Sequence, residues 1–120
     1  RVVGVEPEAC PSLHAALAAK QPTSVTVGGV AVDSLGATQV GSLMFPIAQA
    51  HVDRVVLVSD DAIRAAQRLA WDGLRVALEP GGATALAAIA SGAYKPAPGE
   101  RVGVVLCGGN VDPSALEETS

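Results

Sequence analysis

A chain of 120 residues with 49% apolar residues but only 2% aromatic ones can bury a single core, which Val, Ala and Leu must fill. Such small side chains suit helices packed closely on a parallel sheet. A net charge of −4 without any Lys/Arg cluster excludes the electrostatic footprint of a nucleic-acid or anionic-membrane binder, so a small molecule is the expected partner.

The two cysteines, Cys10 and Cys107, are far apart in sequence and fit no zinc-ligand spacing; a disulfide between them is allowed but not required. No apolar run approaches the roughly 20 residues of a membrane helix, and no charged-then-apolar leader precedes a cleavage site. A cytoplasmic protein with reduced thiols is expected. The chain opens directly on Arg1-Val2-Val3-Gly4-Val5, which reads as a cut through a larger fold.

Taken in order, Val2 to Val5, Val55 to Val58 and Val102 to Leu106 are apolar at consecutive positions, the pattern of strands covered on both faces. After the first comes a helix expected over Ala9 to Lys20, stopped by Gln21-Pro22. A second helix is expected over Val40 to Ala50, kinked or started late by Pro46. The clearest helix runs from Asp60 to about Val76, with Ser59 as its cap and Asp60 and Asp61 at the positive end of the dipole. Ile63, Ala66, Ala70 and Leu74 form its apolar stripe, and Asp61, Arg64, Arg68, Asp72 and Arg75 the opposite one. A fourth helix starts at Pro80 or Gly82 and ends at Ser91, with Gly92 as C-cap. Lys95 to Glu100 forms a loop. Residues 1–113 are expected to make one α/β unit and 114–120 a frayed tail.

The chemistry-bearing residues cluster at expected strand ends, where open α/β sheets bind ligands. Cys107-Gly108-Gly109-Asn110 follows an apolar run, and its glycines allow a ligand to approach the backbone; a tight turn beside a structural cysteine is the alternative. Glu6-Pro7 and Glu79-Pro80 each place a carboxylate before a rigid residue. His14 and His51 lie on expected helices, where structural roles outweigh acid/base work. Trp71 and Tyr94 are isolated and are expected to pack at the sheet edge.

Val3-Gly4-Val5-Glu6-Pro7, Gly29 to Asp33 leading to Gly36, Val52 to Val58 before Asp60-Asp61-Ala62-Ile63, Leu78-Glu79-Pro80-Gly81-Gly82-Ala83 and Val105 to Asn110 occur in the order seen in one family. The chain resembles the fold-type II pyridoxal-phosphate enzymes, specifically the serine/threonine dehydratase (threonine ammonia-lyase) and serine racemase group. The resemblance covers essentially the whole chain. It implies a three-layer α/β/α fold with a mainly parallel sheet, tryptophan-synthase-β-like, of which this chain is the C-terminal part of the large domain.

By that resemblance Cys107 and Gly108 bind pyridoxal phosphate, with the Cys107 thiol facing the pyridine nitrogen. A neutral thiol cannot protonate that ring as a carboxylate partner would, and the weaker electron sink suffices for β-elimination of a hydroxyl. Glu79 corresponds to a glutamate near the cofactor ring, unless it caps the following helix. Glu6, the Cys10 carbonyl and Ser12 correspond to a divalent-cation site for Mg²⁺ or Ca²⁺. Ser12 stands where a second carboxylate is expected, so a hard cation loses an anionic ligand, and an ion-paired or solvated Glu6 is the alternative.

The family's cofactor lysine and its phosphate-binding glycine run have no counterpart in this sequence. Lys20, ending a helix, and Lys95, in a Pro-rich loop, lack the desolvated setting that a nucleophilic lysine needs. No catalytic residue is therefore assigned here, and the chain by itself is expected to be inactive. The complete protein is expected to be a homo-oligomer that converts threonine or serine to a 2-oxo acid and ammonia. Ending soon after the Cys107 motif, the chain shows no regulatory domain and fits the short, unregulated kind. The alternatives are an amino-acid racemase of the serine or aspartate type from the same group, and a non-catalytic ligand-binding α/β module.

Overall fold

The computed structural model describes residues 1–112 and 114–117. Two parallel strands form its centre. β1 (Val2–Pro7) pairs with β2 (Val52–Val58) in a register running from Val3 opposite Arg54 to Pro7 opposite Val58, after one irregularity between Val2 and Val3. A parallel pair needs a crossover. Here it contains α1 (Ser12–Ala19), the single turn α2 (Val32–Leu35) and α3 (Met44–His51).

Beyond β2 lie α4 (Asp60–Leu74) and α5 (Pro80–Ala90), which pack on each other, with α5 also on the sheet. Alternation along β1 assigns the faces. Val3 and Val5 pack against the cluster of Val58, Ile63, Ala66, Ala70, Leu78, Ala83, Ala87, Ala88 and Tyr94. Gly4 turns the other way, towards Val55 and Leu13 of α1. Helices on both faces of a parallel sheet make the expected α/β/α arrangement. Alanines let the α4–α5 pair approach closely: Ala66, Ala70, Ala83 and Ala87 have no exposed surface.

The helix ends follow from local chemistry. Ser59 accepts from the Ala62 amide at 3.2 Å to cap α4, and Arg75 closes the helix in the left-handed region at φ 55. Pro80 occupies the first turn of α5, where its missing N–H costs nothing. Pro46 sits in the first turn of α3, so the late start applies rather than the kink. On α4, Ile63, Ala66 and Ala70 are buried as expected, but Leu74 is 61% exposed and Gln67 is buried instead. Gln67 is tolerated there because its amide donates to the Leu78 carbonyl at 2.8 Å.

The structure departs from the expected elements at several points. Val102 to Leu106 forms no strand, and neither do the residues leading to Glu79. A strand exists only through a ladder with a neighbour, and the 101–105 segment is separated from β1 by a cleft of about 460 Å³ floored by Ala85, Ala88 and Ile89. Tyr94 does not merely lean on the sheet: it is buried in the core and donates to Glu100 at 2.7 Å. Trp71 is on α4, with Arg75 over its ring at 5.9 Å. In the segment expected to fray, Ser114–Glu117 makes a helical turn with Leu116 buried; Pro113 and residues 118–120 lie outside the described residues. Cys10 and Cys107 are both free thiols, one buried and one exposed. Among the described residues no helix is long and apolar enough to cross a membrane.

Candidate functional site

The carboxyl ends of β1 and β2 are tied to the loop that follows α1. The Gly28 amide donates to the Ala9 carbonyl at 3.0 Å, the Cys10 thiol to the Gly28 carbonyl at 3.1 Å, and the Val30 amide to the Asp60 carboxylate at 3.1 Å. Gly29 is required at this crossing: its φ is +79, and a Cβ there would lie 2.8 Å from both Asp60 oxygens. From this anchor the chain runs into α2, which packs on α5. Ser34 lies so close to Gly81 that a side chain at 81 would overlap its hydroxyl.

The start of α5 is also where Cys107 and Glu79 meet. The Glu79 amide donates to the Gly108 carbonyl at 2.6 Å. Gly108 adopts φ +72, and its α-carbon faces the Glu79 side chain, whose Cδ would be 2.6 Å from a Cβ added there. Behind the turn, a Cβ on Gly82 would overlap the Cys107 carbonyl oxygen and lie 2.6 Å from its carbonyl carbon. The Cys107 thiol is left exposed. Glu79 makes no side-chain cap to α5, so its carboxylate is not committed to the helix. Cys107, Gly108 and Glu79 therefore lie together in one cluster. Gly81 and Gly82 were expected to open the helix beside this site, but Ser34 was not singled out, and no residue type in its segment signals its approach to Gly81.

Glu6 belongs elsewhere. Its carboxylate accepts from the Leu13 and His14 amides, both at 2.8 Å, and from the Ser12 hydroxyl at 3.4 Å. Both oxygens are thus engaged at the amino end of α1, which has no side-chain cap from Pro11. Glu6 supplies the negative charge that a helix start favours. Cys10 contributes its thiol to Gly28. Among the described residues no group of three or more His, Cys, Asp or Glu side chains could hold a metal ion. His14, His51, Lys20 and Lys95 are exposed.

The exposed Cys107 at a glycine turn, beside a carboxylate and a helix start, makes this corner of the α/β/α unit the candidate site. Comparison with known proteins gives the family. A profile of pyridoxal-phosphate dependent enzymes matches residues 1–108, and the chain belongs to that family. It is 41% identical over 93% of its length to the phenylserine dehydratase of Ralstonia pickettii, and 42% identical over 68% to the serine racemase of Dictyostelium discoideum. It spans 34% and 25% of the lengths of these relatives. The structure of the processed form of threonine deaminase isoform 2 from Solanum lycopersicum superposes over 98% of this chain and 35% of its own, with a TM-score of 0.85 at 29% identity.

The residues present suit the pyridine side of such a cofactor. The residue after Cys107 is a glycine and adds no side chain of its own to the turn, and a thiol is a small weak donor rather than a fixed charge.

Proposed function

We propose that the complete protein is a pyridoxal-phosphate dehydratase acting on a 2-amino-3-hydroxy acid, threonine or serine, and releasing a 2-oxo acid and ammonia. When bound, the cofactor supplies an electron sink for the substrate's α-carbon. Cys107 carries the reading: as the ring nitrogen's partner it offers a weak neutral hydrogen bond and holds back the proton that a carboxylic acid would share. Such an environment favours loss of a β-hydroxyl over reactions that need a fully protonated ring. Glu79, beside Gly108, orients the same face. In this chain's share of the chemistry no residue moves the α-proton; that part falls to the remainder of the complete protein, which also supplies the lysine.

The overall change removes the α-hydrogen and β-hydroxyl as water. Hydrolysis of the released enamine in its imine form then gives ammonia and the 2-oxo acid. The similarity to a phenylserine dehydratase and to a threonine deaminase supports elimination. The similarity to a serine racemase supports a second reading, amino-acid racemisation on the same cofactor face. Product analysis separates them: complete protein incubated with L-threonine and with L-serine yields 2-oxo acid and ammonia in the first reading, and the opposite enantiomer without ammonia in the second. We further propose a cytoplasmic location, with which two free thiols are in keeping, and a homo-oligomeric assembly.

A further inference from the structure

We infer that Gly82 is a positioning residue which, together with Gly108, forms the seat that fixes the Cys107 thiol against the cofactor; this rests on the reading of Cys107 above. Cys107 is held by its backbone. The residues before it form no ladder, so the usual means of placing a strand-end side chain is absent. What holds the turn is the start of α5. The Cys107 carbonyl packs where Gly82 lacks a Cβ, and one step later the Gly108 carbonyl takes the Glu79 amide at 2.6 Å.

Both contacts are unforgiving. Gly82 is buried on α5, and the atoms that would meet its Cβ are backbone, which cannot swing aside as a side-chain tip does. Gly108 lies at φ +72, where an L side chain is strained. A methyl at either place must therefore lift the turn from the helix and carry the thiol with it. Gly73, on α4, carries no such demand and meets nothing within 4 Å.

The test is alkylation of Cys107 in the complete protein, read by peptide mass analysis with and without bound pyridoxal phosphate, for wild type, Gly82→Ala, Gly108→Ala and Gly73→Ala. In wild type and Gly73→Ala the cofactor shields Cys107 from iodoacetamide. In Gly82→Ala and Gly108→Ala the shielding falls and cofactor affinity drops by roughly tenfold, about 1.4 kcal/mol. A glycine needed only for folding would lower the melting temperature and leave shielding intact, which overturns the inference. Should Gly82→Ala not fold, intact shielding in Gly108→Ala overturns it equally. Absence of shielding in wild type rejects the placement of Cys107, and the inference with it, whereas shielding that survives both alanines rejects the inference alone.

Discussion

The Glu79 amide and the Gly108 carbonyl lie 2.6 Å apart, and this hydrogen bond joins two segments that share no ladder. It holds the Cys107 turn beside the Glu79 side chain. Its foundation is one residue away, where the Gln67 amide on α4 donates to the Leu78 carbonyl at 2.8 Å. Leu78 is 1% exposed, so that carbonyl has no access to water.

Gln67→Leu therefore strands a buried acceptor while keeping the side chain's bulk. A loss of about 1–3 kcal/mol in the complete protein's unfolding free energy is expected, from the desolvation of an unpaired carbonyl. Urea denaturation measures it, and an unchanged midpoint would show that Leu78 finds another donor.

Glu6 caps α1 through the Leu13 and His14 amides. Glu6→Ala removes both acceptors and their charge at the helix start, at an expected cost of about 1–2 kcal/mol. Because those oxygens are engaged, chelation followed by addition of Mg²⁺ or Ca²⁺ is expected to leave the melting temperature of the wild type nearly unchanged. A rise of many degrees at low metal concentration would show that Glu6 leaves the helix for a cation.

Glu100 gives a pH dependence with a defined sign. The Tyr94 hydroxyl, the Ala97 amide and Arg1 at 2.7 Å hold its carboxyl down from the ordinary 4.5 to about 2. A carboxyl whose value is lowered by folding adds stability that is complete above 4.5 and fades as pH falls towards 2. Glu100→Gln should therefore be less stable than wild type at pH 7, and the gap should shrink at about pH 3. A gap independent of pH would mean that the carboxylate's charge contributes nothing.

Periodicity made α4 and α5 legible, because each carries its own signals: a serine cap and acidic first turn in one, Pro80 and an alanine face in the other. What the sequence does not show has a common cause. Val102 to Leu106 has the composition of a covered strand, but strand formation is a property of a pair, and β1 lies across a cleft from it. At Glu6 the partners seen are the Leu13 and His14 backbone amides of the next helix, which no residue type announces. Likewise α2 has neither length nor cap; only its packing on Gly81 places Ser34 at the site.

The account turns on Cys107 facing the cofactor's pyridine nitrogen, and kinetics of two variants of the complete protein test it most directly. Cys107→Ser keeps a small neutral donor, so elimination should stay within roughly tenfold of wild type, about 1.4 kcal/mol in barrier. Cys107→Asp sets a charge against the ring nitrogen, favouring its protonated form and burdening a site suited to a neutral partner. Elimination should then fall far below the serine variant, and the bound cofactor's absorbance should shift. A Cys107→Asp enzyme with wild-type activity and an unshifted spectrum would contradict the placement of this thiol at the pyridine nitrogen.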